Sequence, residues 1–158
     1  QKLLKLESNL RDLVGLIREG ESFLDVGCGT GGFRHLIPSV RYSGIDIDPA
    51  TIEIGRSLAS ETFTCEDLFS MKSVYDFVLC SRVLMHVAPL SDAMQCLLNA
   101  ARRMLVLFVP IEEHDCCELI ENYGQHFYFR RFSEDTLKSF GACSIARHEP
   151  YSTVVYAR

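Results

Sequence analysis

Three acids and a run of glycines hold most of the chemistry this chain can do. Asp25 stands two residues ahead of Gly27-Cys28-Gly29-Thr30-Gly31-Gly32, and Asp46 follows nineteen residues after Gly27. Glycine has no Cβ and tolerates positive φ, so such a turn lets backbone N–H groups come close to a ligand. Gly27, Gly29 and Gly32 also satisfy GxGxxG, a spacing that packing turns produce as well. A carboxylate placed like Asp46, at the end of the next strand, accepts hydrogen bonds from both hydroxyls of a ribose. Asp67 closes a third strand, where a carboxylate can receive the exocyclic amine of an adenine; Glu66 substitutes if the register moves by one. Asp25 decides the sign of the ligand. A pyrophosphate would be repelled beside it, whereas a group carrying an ammonium and a sulfonium would be attracted.

Each acid needs a strand to place it. Apolar runs at residues 22–26, 42–46, 63–65, 75–80 and 104–109 read as strands, with helix-like stretches at 31–37, 49–59 and 90–103 between them. In the last of these stretches Ala93, Cys96, Leu97, Ala100 and Ala101 share a face. Leu3, Leu6, Leu10, Leu13 and Ile17 recur at helical spacing, and Gly20 follows as a cap, so residues 2–19 read as an amphipathic helix. Past residue 109 the rhythm breaks. Residues 110–131 are polar, aromatic and rich in His and acids, and read as a lid on the substrate side. A short helix at 133–140 leads into strands at 142–148 and 153–157, whose connection is too short for a crossover, so the last strand runs antiparallel. The expectation is one α/β domain over residues 1–158: a doubly wound, Rossmann-like seven-stranded sheet, mostly parallel, with helices on both faces.

In this order the motifs resemble those of the class I S-adenosylmethionine-dependent methyltransferases. Asp25-Val26-Gly27-Cys28-Gly29-Thr30-Gly31 looks like the first motif of that family, and Ser43-Gly44-Ile45-Asp46-Ile47-Asp48-Pro49 like the second. Cys65-Glu66-Asp67-Leu68 is similar to the third, and the strand through Cys80-Ser81 with Val83-Leu84-Met85-His86 to the fourth. The resemblance implies S-adenosylmethionine as cofactor. Gly27, Cys28 and Gly29 would pack against its methionine part, and Asp25 would hold the amino end directly or through the loop. Asp46 would take the ribose, Ile47 the adenine face, and Asp67 with the Leu68 backbone the adenine edge. Cys80 or Ser81 would offer carbonyls near the methionine moiety.

Methyl transfer asks an enzyme to align the acceptor, exclude water and sometimes remove a proton. His126, among Tyr123, Phe127, Tyr128 and Phe129, is a lid or pocket candidate; His86 is a base or a structural hydrogen bonder; Arg82 is a partner for a substrate carboxylate, for Asp92 or for another surface acid. The stretch Glu112-Glu113-His114-Asp115-Cys116-Cys117 contains metal-ligand residue types at no standard spacing and reads as a solvated acidic loop, so no metal is assigned.

What is missing narrows the acceptor. Cys80-Ser81-Arg82-Val83 is not the Asn/Asp-Pro-Pro-aromatic motif of amino methylation on nucleobases or glutamine, no Pro-Cys nucleophile follows that strand, and no double-glutamate hairpin lies between Ser81 and Val87. A formal net charge of −5 disfavours phosphate-backbone binding. A small-molecule acceptor is left by elimination. No apolar run approaches the ~20 residues that span a bilayer, and seven cysteines without CxxC spacing suit reduced thiols in a cytoplasmic protein. Two rival readings stand beside this one: an NAD(P)-binding oxidoreductase, supported by GxGxxG and Asp46, and a non-catalytic methyltransferase-like binding module of a larger protein.

Overall fold

The computed structural model describes residues 2–37, 39–59, 62–122 and 124–158, the side chains of residues 2–7 and 122 excepted. Leu3 and Leu6 of the N-terminal stripe, by their side chains, and Tyr123 therefore lie outside the described part. Chain order runs α1 (Lys2–Leu16), β1 (Ser22–Val26), β2 (Arg41–Asp46), α2 (Pro49–Leu58), β3 (Thr62–Cys65), β4 (Tyr75–Ser81), α3 (Leu90–Ala100) and β5 (Ala101–Val109). It continues through β6 (Cys116–Asn122), β7 (Gln125–Arg131), α4 (Glu134–Ser139), β8 (Ser144–Ala146) and β9 (Ser152–Ala157). Seven strands form one sheet in the order β3-β2-β1-β4-β5-β9-β8, and β6 pairs with β7 alone. The neighbours from β3 to β5 are parallel, while β9 runs antiparallel to both β5 and β8.

Strand periodicity assigns the two faces. In β4, Phe77 and Leu79 join a buried cluster with Leu13 of α1 and Ile52 of α2, while Val78 and Cys80 join Ala93, Met94 and Leu97 of α3 and Leu137 of α4. Successive strand residues point to opposite sides, so a strand that is apolar at every position must be covered on both. Helices do lie on both faces. At the far end of the sheet from the site, Asp76 accepts the Ser22 N–H and hydroxyl and the Arg102 guanidinium, tying β1, β4 and β5 together. These bonds hold the Asp76 carboxyl down at about 2.

The structure corrects three details of the sequence reading. Residues 31–37 form only a 3-10 turn, Gly32–His35, because the stretch opens with two glycines and Gly31 takes a left-handed conformation with φ 83. Helix α3 stops at Ala100, and Ala101 already belongs to β5; Met94 is fully buried on its inner face, where Cys96 is only half-buried. Strands β6 and β7 pair as an antiparallel β-hairpin. Ile120, Phe127 and Phe129 point inward half-buried, and the opposed pair Leu119 and Tyr128 points out, 60% and 63% exposed. Both ends of this insertion close on the core: Glu112 N–H reaches Phe132 O at 2.9 Å, Phe132 N–H reaches Pro110 O at 3.0 Å, and the Phe132 side chain is fully buried. Among the described residues no helix is long and apolar enough to cross a membrane.

Candidate functional site

Parallel strands ending side by side leave a crevice at their C-terminal edge, and the loops after β1, β2, β3 and β4 fill it here. Gly27, Gly29 and Gly31 adopt φ of 71, 55 and 83. Two of these positions admit no side chain: a Cβ on Gly27 would lie 2.0 Å from Val83 Cγ2, and one on Gly31 would lie 2.5 Å from Phe63 Cζ. The Gly27 and Cys28 N–H groups bond to Ile45 O at 2.8 and 3.0 Å, which fixes the loop against β2. Gly29 N–H then donates to the Asp46 carboxylate at 2.9 Å, and Asp48 N–H to its other oxygen at 3.0 Å. Each carboxylate oxygen keeps accepting capacity beyond these bonds.

Two adjoining cavities open here. The larger, about 430 Å³, is walled by Asp46, Ile47, Asp67, Leu68 and Phe69 on one side and by Arg82, Val83 and His86 on the other. Ile47 and Phe69 stand 70% and 42% exposed on its rim, two apolar side chains that a flat ligand can cover. Asp67 receives Phe69 N–H at 2.9 Å, which turns the aromatic ring's backbone into the cavity loop. The smaller cavity, about 340 Å³, lies over Cys28, Gly29 and Thr30 and is bounded by Ser81 and Arg82. Asp46, Ile47, Asp67 and Leu68 thus share one cavity, and Cys28, Gly29 and Ser81 the other, with Gly27 on both.

Asp25 and Cys80 lie beneath the walls. Both are fully buried, and Asp25 lines neither cavity. Its Oδ2 accepts the Tyr42 hydroxyl at 2.8 Å, while Oδ1 has no partner among the described residues. Burial pushes the Asp25 carboxyl up to about 7; the Tyr42 hydrogen bond opposes this, the Asp46 charge adds to it and Arg82 opposes it. Burial also raises the Cys28 and Cys80 thiols to about 12, so neither is a nucleophile. Ser81 Oγ, buried at the edge of the smaller cavity, is likewise unpaired among the described residues. Buried polar atoms are normally satisfied. Of the two, only Ser81 borders a cavity, where a ligand can satisfy its hydroxyl; Asp25 Oδ1 is reached from neither.

The catalytic candidates separate. His86 lines the larger cavity, its Nδ1 is 2.8 Å from Tyr128 O, and its ring packs edge-on against Phe127 at 5.1 Å and Phe129 at 5.7 Å. His126 does not reach the site. It sits near the hairpin turn, 3.8 Å from Glu121 with both side chains mostly in solvent, because strand alternation turns it away from the inward face of Phe127 and Phe129. Arg82 lines both cavities and makes no pair with Asp92, whose carboxylate takes the Ser91 hydroxyl instead. Asp115, from the acidic stretch, accepts Ser133 N–H and the Thr136 hydroxyl, and Glu112 lies 3.9 Å from Arg131. Phe69 was passed over in the sequence reading, although its place directly after Leu68 put it on the same loop.

A sheet of this order, parallel except for one strand next to the edge, with a glycine loop and strand-end acids at its C-terminal rim, defines the class I methyltransferase architecture. The chain belongs to the methyltransferase domain family, whose match spans residues 2–147. Solved structures share the fold at low identity. Magnesium protoporphyrin IX methyltransferase from Synechocystis PCC 6803, with bound SAM, superposes with a TM-score of 0.72 at 21% identity, covering 96% of this chain and 78% of that one. The DhpI-SAM-HEP complex gives 0.74 at 18%, with 97% and 85% covered. The 1,6-didemethyltoxoflavin-N1-methyltransferase of Burkholderia thailandensis, with 1,6-didemethyltoxoflavin and S-adenosylhomocysteine, gives 0.71 at 16%, with 98% and 77% covered. No curated protein matches the sequence significantly. Family membership removes the support for an NAD(P)-dependent oxidoreductase.

Proposed function

We propose that this methyltransferase uses S-adenosylmethionine to methylate a small-molecule acceptor. One observation supports the reading most: Gly29 N–H donates to the Asp46 carboxylate at 2.9 Å, which ties the glycine turn to the strand-end acid. Asp46 would hold the ribose, Ile47, Leu68 and Phe69 the adenine ring, and Asp67 its edge. The Gly27–Gly31 turn, Cys28 and Ser81 would face the methionine part, with Asp25 supporting the loop from beneath. When bound, the cofactor supplies a methyl group already activated on a sulfonium.

What remains for the chain is to orient an acceptor, keep water out and take a proton. A carbonyl oxygen only accepts, so the 2.8 Å contact to Tyr128 O places the proton of a neutral His86 on Nδ1 and leaves the Nε2 lone pair available. That is the disposition of a general base on the cavity wall. The small molecules named for structural neighbours, magnesium protoporphyrin IX and 1,6-didemethyltoxoflavin, support the same acceptor class. Isothermal titration with S-adenosylhomocysteine tests the proposal: saturable one-site binding is expected, and folded protein that binds neither this product nor S-adenosylmethionine overturns it.

A further inference from the structure

We propose that the acceptor carries a carboxylate and that Arg82 reads it. The proposal rests on the methyltransferase reading above and names the substrate class for that site.

Arg82 is held in place by the backbone on both sides. It is the one described non-glycine residue with positive φ, at 59, a region that L side chains rarely adopt. Its N–H bonds to Phe108 O at 3.0 Å at the end of β5, its predecessor Ser81 is buried, and its successor Val83 fills the space that a Cβ on Gly27 would need. The side chain therefore leaves the backbone at a fixed point where the two cavities adjoin, both of them lined by Arg82.

Its surroundings differ from those of the paired arginines. Arg102, Arg103, Arg131 and Arg147 each hold a carboxylate, on Asp76, Glu21, Glu118 and Glu134. Arg82 makes no hydrogen bond or ion pair through its side chain among the described residues, although Asp46, Glu66 and Asp67 line the same cavity. The Arg82 charge adds to that of a sulfonium in the same crevice, and an anion bound between the two offsets the added positive charge. The planar guanidinium fork matches a carboxylate in bidentate geometry, which a neutral acceptor cannot exploit.

A carboxylate can come from two sources, the acceptor or the methionine part of the cofactor, and the test separates them. Protein saturated with S-adenosylhomocysteine is titrated, with ligand-observed NMR, against aromatic carboxylates each paired with its primary carboxamide. In the wild type at least one carboxylate is expected to bind about tenfold more tightly than its amide. In Arg82→Gln that ratio falls to about one while the affinity for S-adenosylhomocysteine moves less than about threefold. Arg82→Gly, which relieves the positive φ, keeps the fold and shows the same loss of preference. Absence of any carboxylate preference in the wild type overturns the proposal, as does a preference that survives in Arg82→Gln. A large loss of S-adenosylhomocysteine affinity in Arg82→Gln also overturns it, since Arg82 would then serve the cofactor. Failure of the wild type to bind S-adenosylhomocysteine at all is a different result and overturns the underlying methyltransferase reading with it.

Discussion

His86 Nδ1 lies 2.8 Å from the main-chain oxygen of Tyr128, joining the turn after β4 to a hairpin 42 residues further along the chain. Its ring packs edge-on against Phe127 and Phe129, and its Nε2 makes no hydrogen bond among the described residues.

His86→Phe keeps an aromatic ring against Phe127 and Phe129 but abolishes both nitrogens. Turnover is expected to fall about 100-fold, within the usual range for a lost general base. Hydrogen exchange over residues 125–131 should rise modestly in His86→Phe and strongly in His86→Ala. A Phe variant with wild-type turnover would remove His86 from proton transfer and leave it a hairpin anchor.

Asp46→Asn keeps one acceptor oxygen for the two donors Gly29 and Asp48 N–H, turns its NH2 toward the other, and loses the charge that strengthens bonds to ribose hydroxyls. Calorimetry should show S-adenosylhomocysteine affinity about tenfold weaker, consistent with ~1.5 kcal/mol for a hydrogen bond to a charged group. The thermal midpoint of the ligand-free protein should change by only a few degrees. A large fall in that midpoint with affinity unchanged would make Asp46 a structural acid.

Asp25 makes stability depend on pH in an unusual direction. Its carboxyl is raised from 3.8 to about 7 in the fold, so the neutral form is favoured there. The stabilisation is fully present below about 4 and is lost as pH rises through about 7, because the unfolded chain releases the proton first. In Asp25→Asn this loss should vanish. Urea unfolding at several pH values between 4 and 8.5 checks it: the difference between wild type and variant should move in the variant's favour with rising pH, and a constant difference would refute the assignment.

Gly27→Ala forces a Cβ to within 2.0 Å of Val83 Cγ2 at a residue with φ 71. A loss of about 2 kcal/mol in stability is expected from the strained backbone and overpacking. Cofactor affinity should fall in parallel as the loop shifts. Denaturant melts with unchanged m-value would confirm a loss confined to the native state.

The cofactor half of the molecule was legible because its signals are local. Each strand is a short apolar run, and the acids Asp46 and Asp67 follow such runs directly. The antiparallel last strand followed from loop length alone. The hairpin was not legible, for two physical reasons. In Cys116–Asn122 and Gln125–Arg131, charged and polar residues occupy both faces, which hides the alternation of Ile120, Phe127 and Phe129. His126 also looked better placed than His86 because it sits among aromatics in sequence. A strand sends neighbours to opposite sides, and only the pairing of Glu121 with His126 across the hairpin shows which side it takes.

The bridge between Ile111 and Phe132 brings the entry and exit of the hairpin to the same point on the core. The intervening twenty residues can therefore change in length or composition without shifting the register of β5 or moving α4. The hairpin is a replaceable cassette, fastened at one base and held against the turn after β4 by His86 and by Arg130, which donates to Val87 O at 3.4 Å. Descendants of this scaffold could exchange that cassette while the residues facing the cofactor stayed as they are.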